Sequence, residues 1–461
     1  MAIGFRRKRP ASASKQPLKL PTSKLLESLK ALSAEIPAGA TKGALPRVAR
    51  ASSNVVERLD LELAAGAGPS RVLLTGQIGV GKSTELWAFA NKYAQSPSVL
   101  TIICDLEKEM SPERCGAIGV LLAIFRDAWS FHTNVLFKSE VPPEGITDQV
   151  LSALVDWLKA TKNDKGYVFR FGGMDFSMDL SQGRANLSEG KSRIVAIILG
   201  KAAQHQALRE RDPSEGLVPD KLVALCNEYL RYLKNRSKKR VVLLLDHVDK
   251  IRSETAARET LIDAVSHWDR LDASLVMTAP YEFTLGAMRS SVEGFWGRPA
   301  VVYPEPIPSL VASNGDDPVP DFYKEIIGAC GLTDLLSDND LRVLAYYSGG
   351  IPRTFVLLLA ATLRNAIFAA AERVEVTHVR MAVSEAQADY QDYPDEHLQL
   401  LDEIERTQQG LGRAMELLRS PIGLLVQPVP DGGTVFRVHP LAERSLRLYR
   451  ERRGPSRTAE R

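Results

Sequence analysis

The feature that most constrains this chain is a glycine-rich turn between a short apolar run and a helix-forming stretch. Residues 76–83 read GQIGVGKS, which fits the G-x-x-x-x-G-K-[ST] phosphate-binding pattern at every position. Val72 to Leu74 predict a short buried strand before the turn, and the residues from Ser83 onward predict a helix after it. Strand, turn and helix in this order predict an α/β fold with a buried parallel sheet.

Each part of the motif has a physical role in holding a nucleoside triphosphate. Glycines let the backbone approach the phosphates closely, and the loop amides and the helix N-terminus then face the anion. Lys82 is predicted to reach the β- and γ-phosphates, and the Ser83 hydroxyl is predicted to bind Mg²⁺. We therefore expect ATP and Mg²⁺ as cofactors. The residues of this stretch expected to contact the nucleotide are Gly76, Gln77, Ile78, Gly79, Val80, Gly81, Lys82, Ser83 and Thr84.

A second acidic motif follows much later in the chain. Val241 to Leu245 are five consecutive apolar residues, followed directly by Asp246, and they predict another buried strand. An acid in this place holds Mg²⁺ through water in P-loop proteins, so Asp246 is the predicted metal-side carboxylate together with Ser83. Asp249, three residues on, is either a second acid of the site or a cap on the next helix.

Two further positions are candidates for contact with the γ-phosphate. Residues 273–279 predict a strand in which Thr278 either contacts the γ-phosphate or attacking water, or is a plain buried threonine. Ile351-Pro352-Arg353 opens a helix, and an arginine in the first turn is unfavourable with respect to the helix dipole. That cost indicates that Arg353 faces an anion such as the γ-phosphate, although a surface arginine remains the alternative. Pro352 is grouped with it among the nucleotide-contacting residues.

Composition favours a globular chain of two or three domains. The 461 residues are 44% hydrophobic and 25% charged, with a net charge of +3. We expect no membrane span, because no apolar run approaches the required length, and no secretory signal, because no apolar segment follows the basic N-terminus. The four cysteines form no C-x-x-C pair, which argues against a zinc site and fits the reducing cytoplasm.

The order of the predicted elements divides the chain into five parts. These parts are a basic flexible tail with a short helix (1–44), a P-loop core (45–310) with an insertion (132–215), a helical lid (311–392), a winged helix (393–450) and a basic tail (451–461). The winged helix is predicted because helices precede a hairpin with Asp-Gly turn chemistry. Such domains bind duplex DNA through a helix in the major groove, but many serve protein contacts alone.

Four stretches of the chain resemble AAA+ and STAND-like P-loop ATPases close to the origin-recognition type, especially bacterial single-chain ATPases found near mobile elements and anti-phage loci. The stretches are GQIGVGKSTEL at 76–86, VVLLLDHVDKI at 241–251, SGGIPRTFVLL at 348–358 and VFRVHPLAERSL at 435–446. The resemblance implies a P-loop NTPase parallel sheet with a helical lid and a C-terminal winged-helix domain. It also implies the Walker B role for Asp246, the sensor 1 position for Thr278 and the sensor 2 position for Arg353.

The chain departs from that family at one position. Hydrolysing members usually carry an acid after the Walker B aspartate, and here His247 takes its place. Either Asp249 or a neighbour orients the water, or hydrolysis is slow and the protein is chiefly a switch. Three functions remain open: an ATPase that drives assembly or regulation of a partner, an ATP-binding scaffold, and a DNA-loading ATPase. The expected partners are ATP, a protein effector, duplex DNA or a second copy of the chain, and not a membrane.

Overall fold

The computed structural model describes most of the chain. The described residues are 24–35, 50, 54–65, 68–108, 116–131, 148–150, 152, 161–163, 166–171, 174–179, 219–251, 253–310, 317–389, 393–408, 423–428 and 434–453. The strands are β1 (Arg71–Gly76), β2 (Val99–Asp105), β3 (Thr161–Asn163), β4 (Gly166–Phe171), β5 (Met174–Asp179), β6 (Arg240–Asp246), β7 (Ser274–Ala279), β8 (Ala300–Val302), β9 (Leu424–Pro428) and β10 (Thr434–Val438).

Helices account for most of the remaining described residues. They are α1 (Lys24–Glu35), α2 (Val55–Ala65), α3 (Lys82–Tyr93), α4 (Ala117–Phe131), α5 (Pro219–Ser237), α6 (Glu254–Arg258), α7 (Val265–Asp269), α8 (Gly286–Trp296), α9 (Asp321–Ala329), α10 (Asp338–Tyr347), α11 (Pro352–Phe368), α12 (Val376–Ala388), α13 (Asp395–Thr407) and α14 (Glu443–Arg453). No helix among the described residues is both long and apolar enough to cross a bilayer.

Five strands form one parallel sheet in the order β2-β6-β7-β1-β8. The strands that sequence analysis placed in the core are all in this sheet, so the predicted α/β fold with a P-loop parallel sheet is confirmed. Strand β7 lies between β1 and β6, and Asp105 pairs in register with Asp246. The carboxyl ends of β1, β2 and β6 therefore lie at one edge of the sheet.

Both faces of the sheet are covered, which explains why its strands read as continuous apolar runs. Side chains alternate along a strand, so Leu243 faces one side with α4 and α5, and Leu244 faces the other with α2 and α3. Full burial of a leucine side chain contributes about 1.5–3 kcal/mol. The sheet is thus a rigid base for the loops at its carboxyl edge.

A second hydrophobic core lies in the helical part of the chain. Helices α9 to α12 enclose it, and α1 closes it from the N-terminal side by packing Leu25 and Leu32 inward. The sequence predicts a helix over Asp338 to Tyr347, and α10 has these bounds. It begins there because the Ser337 hydroxyl accepts a hydrogen bond from the Asp340 N–H. The same cluster includes residues of α13, of both terminal strands and of α14, so it extends beyond the predicted helical lid. The bounds of the lid at 311–392 and its action stay predictions.

The terminal hairpin is also where the sequence predicted it. Strands β9 and β10 pair antiparallel, with Val426 opposite Phe436, and α13 and α14 flank them. The sequence predicts GRAMELLRS at 412–420 as the recognition helix of the winged helix. That segment and the turn at 429–433 lie outside the described residues. The winged-helix assignment therefore stays a prediction.

Two helix boundaries differ from the expectation. The sequence predicts a helix over Val48 to Ala65, but α2 begins at Val55. The Asn54 carbonyl accepts the Arg58 N–H, and asparagine is favoured before a first turn. Helix α14 continues to Arg453, into the predicted basic tail. An ion pair of 3.1 Å from Arg452 to Asp395 joins this extension to α13.

The insertion is described only in part. Apolar and polar residues alternate from Val168 to Leu180 around Gly172-Gly173, which predicts a hairpin. Strands β4 and β5 form this hairpin, and β3 adds a third antiparallel strand. The sequence also predicts a helix over residues 188–210 and a helix start at residues 111–113, and both lie outside the described residues.

Candidate functional site

The phosphate-binding loop connects β1 to α3 at the carboxyl edge of the sheet. Gly81 has a φ of 99°, a left-handed conformation that glycine adopts without strain, and it precedes the first turn of α3. The Val80 side chain is fully buried, so its predicted contact with the nucleotide can come only from the main chain. A helix N-terminus preceded by such a loop is a site for an anion.

Lys82 lies inside the loop that precedes it. Its ammonium donates to the carbonyl oxygens of Gly76 and Gln77, at 2.8 and 3.0 Å, and its side chain is only 5% exposed. Asp249 Oδ2 lies 2.8 Å from the same nitrogen. The predicted phosphate-binding lysine is therefore held at the head of the loop with an acidic counter-ion.

Asp249 is thus part of the site. Burial alone would raise the pKa of its carboxyl, but the charge and hydrogen bond of Lys82 outweigh burial, and the pKa lies below its ordinary value. The carboxylate is therefore ionised in the neutral range. This geometry assigns Asp249 a pairing with Lys82 rather than the role of a helix cap; its part in catalysis stays a prediction.

The two predicted metal ligands meet directly. The Ser83 hydroxyl donates to Asp246 Oδ1 at 3.0 Å, and the same oxygen accepts the main-chain N–H of His247 at 2.8 Å. Burial raises the pKa of Asp246, and the neighbouring His247 only partly offsets that effect. A hydroxyl and a carboxylate are hard oxygen donors, and Mg²⁺ in such sites needs few protein ligands because phosphates supply the rest. These two residues therefore fit the ion.

The His247 ring is held beside Asp246 by contacts with two acidic side chains. Its ring Nδ1 lies 2.7 Å from Asp105 Oδ1, and its Nε2 lies 3.7 Å from Asp246 Oδ2. Burial disfavours the charged ring, but the Asp105 hydrogen bond and the Asp246 charge outweigh it, so the pKa of His247 is raised. From the sequence, Asp105 is an acid that follows the β-branched run Val99 to Cys104, and nothing local to it indicates a role. It reaches His247 because β2 and β6 are neighbouring strands.

Thr278 is fully buried at the end of β7. Its hydroxyl oxygen accepts the main-chain N–H of Val248 at 3.0 Å, which ties β7 to the turn after Asp246. The residue is therefore next to the acidic edge of the site, as its predicted role requires. Contact with the γ-phosphate or the attacking water stays a prediction.

Arg353 and Pro352 begin α11 directly against the phosphate-binding loop. The Arg353 N–H donates to the Gly79 carbonyl at 3.3 Å, and the Arg353 side chain is exposed. Gly79 has a φ of +84°, and a Cβ there would lie 3.1 Å from both Arg353 Cβ and Ile351 Cγ2, so any other residue would be strained and crowded against α11. The N-terminus of α11 adds a second positive dipole end beside the loop.

Gln77 has a role that its sequence position did not indicate. Its side-chain amide donates to the Leu424 carbonyl and accepts the Val426 N–H at 2.9 Å, both on β9. The side chain is buried at 2% exposure. Gln77 can contact a nucleotide only through its main chain, because its side chain binds the terminal hairpin.

The remaining predicted nucleotide contacts lie around the same loop. Ile78 is half-buried, and Thr84 is exposed in the first turn of α3. Arg50, which the sequence assigned to a helix, instead precedes α2 and contacts the loop at Val80. A phosphate-binding loop after β1, an acid as the last residue of β6 and a strand between β1 and β6 define a P-loop NTPase fold.

Comparison with known proteins gives distant similarities only. No protein-family model and no curated protein matches the chain. Among solved structures, the chain is similar to the ORC1 protein of Aeropyrum pernix in complex with DNA, with 15% sequence identity, a TM-score of 0.40 and coverage of 88% of this chain and 94% of that chain.

Two further solved structures show a similar degree of likeness. The ORC2 protein of Aeropyrum pernix in ADPNP-ADP complexes is 14% identical, with a TM-score of 0.42 and coverage of 89% of this chain and 95% of that chain. The RuvB Holliday junction branch migration motor of Thermotoga maritima is 14% identical, with a TM-score of 0.35 and coverage of 86% and 98%.

Proposed function

We propose that the chain is an ATP-binding P-loop ATPase of the AAA+ or STAND type that couples Mg-ATP binding and hydrolysis to the assembly or regulation of a partner. One observation carries the proposal: Lys82, Ser83 and Asp246 converge at the sheet edge where a helix N-terminus faces the same space. Lysine, hydroxyl and carboxylate in this arrangement suit phosphates and their metal ion.

Each residue has a separate part in the proposed reaction, in which water attacks the γ-phosphate of Mg-ATP. Lys82 exchanges its contact with Asp249 for the β- and γ-phosphates, and Ser83 and Asp246 hold Mg²⁺. Bound Mg²⁺ would neutralise charge on the phosphate oxygens. Arg353 reaches the γ-phosphate from the start of α11, and Thr278 holds the turn after Asp246 in place.

A second candidate function is an ATP-dependent switch or scaffold with weak hydrolysis. His247 favours it, because the position that would orient water holds a ring already engaged by Asp105. In this case the terminal hairpin, bound to Gln77 of the loop, would report nucleotide occupancy to a protein effector. With the first candidate function we also propose a role in anti-phage defence, on the basis of the sequence resemblance, a cytoplasmic location, on the basis of the cysteine pattern, and assembly with further copies of the chain.

A third candidate is a DNA-engaging loader that uses the terminal segment as a winged helix. Steady-state ATP hydrolysis, measured with and without duplex DNA, distinguishes this loader from the partner-regulating ATPase and from the switch. Asp246→Asn is the inactive control. Turnover that DNA stimulates and that Asp246→Asn abolishes supports the loader. Turnover without a DNA response supports the partner-regulating ATPase, and retained ATP binding with no turnover supports the switch. Turnover that survives in Asp246→Asn contradicts the assigned site.

A further inference from the structure

Arg50 makes three divergent hydrogen bonds beside the phosphate-binding loop. Its Nε donates to Glu305 Oε1 at 2.7 Å, one terminal nitrogen donates to the Val80 carbonyl, and the other donates to the Tyr303 carbonyl at 3.0 Å. The arginine side chain is 4% exposed and the Glu305 side chain is fully buried. A planar guanidinium fork presents donors in fixed directions, and a lysine ammonium cannot reproduce the three together.

The hydrogen bond from Arg50 to the Val80 carbonyl also sets the orientation of the next main-chain group, the Gly81 N–H. In a planar trans peptide, the C=O of one residue and the N–H of the next point in opposite directions. Holding the Val80 oxygen towards Arg50 therefore directs the Gly81 N–H away from Arg50. A Cβ on Gly81 would lie 2.9 Å from the Arg50 guanidinium, so the arginine also packs directly against this residue.

The acid that pairs with Arg50 connects the loop to the start of α11. The Glu305 main-chain N–H donates to the Gly350 carbonyl at 2.7 Å. Gly350 lies three residues before Arg353, and the Arg353 N–H donates back to Gly79 in the loop. The loop is thus held at two adjacent carbonyls, Gly79 and Val80, by two segments that meet at Glu305.

We propose that Arg50 is a positioning residue for the phosphate-binding loop. It sets the direction of the Gly81 N–H and joins the loop to the start of α11, so that nucleoside triphosphate affinity depends on the guanidinium fork and not on positive charge alone. The inference rests on the proposed nucleotide-binding function and assigns a role to a residue outside the sequence motifs.

The test compares Mg-ATP binding by wild type, Arg50→Ala, Arg50→Lys and Glu305→Gln. Arg58→Ala is the matched control, because Arg58 also donates to a main-chain carbonyl, that of Arg298, away from the loop. We expect the affinity for Mg-ATP to fall about tenfold or more in Arg50→Ala and Arg50→Lys. This is the loss typical of one charge-assisted hydrogen bond, here the bond that a correctly directed Gly81 N–H would donate to a phosphate. Millimolar methylguanidinium should restore binding to Arg50→Ala, and methylammonium should not.

A nucleotide-free measurement separates this inference from the proposed function. Hydrogen exchange of the amides at residues 76–83 should be faster in Arg50→Ala and Arg50→Lys than in wild type, and unchanged in Arg58→Ala. If Arg50→Ala does not fold, Arg50→Lys and Glu305→Gln carry the test. Wild-type affinity and exchange in Arg50→Lys would overturn the positioning role. Absence of ATP binding by the wild type would overturn the proposed function instead, while the exchange result still decides the role of Arg50 in the loop.

Discussion

The side-chain amide oxygen of Gln77 accepts a hydrogen bond from the main-chain N–H of Val426 at 2.9 Å, although 349 positions separate the two residues. The same side chain donates to Leu424, so one residue of the phosphate-binding loop pairs with β9 as a neighbouring strand would. Gln408 pairs with β10 in the same manner, since its amide donates to the Phe436 carbonyl and accepts the Phe436 N–H. The hairpin is held by two glutamines, of which only Gln77 belongs to the loop.

Replacing Gln77 by alanine should loosen the hairpin and disturb nucleotide binding together. Two buried main-chain groups of β9 lose their partner, which costs about 1–3 kcal/mol each when no water replaces it. Hydrogen exchange at residues 424–428 should become faster, and Mg-ATP affinity should change as well. Gln408→Ala is the matched control and should speed exchange in the hairpin while leaving ATP affinity at the wild-type value. Equal effects of the two variants on ATP affinity would show that the hairpin is not coupled to the loop through Gln77.

Alanine at Gly350 should destabilise the protein severely. The residue has a φ of +76°, and an added Cβ would lie 2.1 Å from the Glu305 carbonyl oxygen. Overpacking and a left-handed non-glycine residue together should lower the free energy of unfolding by about 2–5 kcal/mol in urea denaturation. Gly294→Ala is the control, because among the described residues no atom lies within 4 Å of its added Cβ. A Gly350→Ala midpoint equal to that of wild type would contradict the close packing.

Asparagine at Asp249 should make the protein depend more strongly on nucleotide for its stability. Lys82 is 5% exposed and would lose its charged partner, and an unpaired buried charge costs about 3–5 kcal/mol. The nucleotide-free variant should melt below wild type, and saturating Mg-ATP should raise its melting temperature by more than it raises that of wild type. Asp263→Asn, at an exposed site, should match wild type in both measurements. An identical rise in Asp249→Asn and wild type would indicate that Lys82 does not exchange Asp249 for phosphate.

Acidification should destabilise the protein through His439. Burial lowers the pKa of this fully buried histidine from 6.5 to about 4, and the Leu441 N–H donates to its Nδ1, which must stay unprotonated. The contribution of the neutral ring is complete above the unfolded-state pKa and is lost as the pH falls towards the folded-state pKa. Its share of the stability lost between pH 7 and pH 5 is about 2 kcal/mol. His439→Gln should remove this contribution, so the free energy of unfolding of the variant should fall less steeply between pH 7 and pH 5 than that of wild type. An equally steep fall in the variant would rule out His439 as the source of the pH dependence.

The sequence predicted those parts of the molecule whose structure is determined by residues close to one another in the chain. The loop at residues 76–83, the apolar strand before Asp246 and the helix after Ile351 each carry their signal within a dozen residues, and each was found. Arg50, Asp105 and Gln77 act across 255, 142 and 349 positions. No local pattern marks such pairs, since they form only when the sheet order and the position of the hairpin are fixed.

The start of α2 shows why boundaries are harder than elements. The helical pattern extends back to Val48, but Arg50 lies outside the helix, and its side chain binds Val80, Glu305 and Tyr303. Helix propensity is a weak guide at such a position, because it carries no information on tertiary contacts.

The most direct test of nucleotide binding at this loop is calorimetric titration of the protein with Mg-ATP, comparing wild type, Lys82→Ala and Lys92→Ala. Lys92 lies near the end of the same helix, half exposed and paired with Asp60, and it controls for the loss of a lysine charge. We expect saturable binding of one ATP by wild type and by Lys92→Ala. Lys82→Ala, folded as judged by circular dichroism, should show no saturable binding. Wild-type affinity in Lys82→Ala would contradict the assignment of the site.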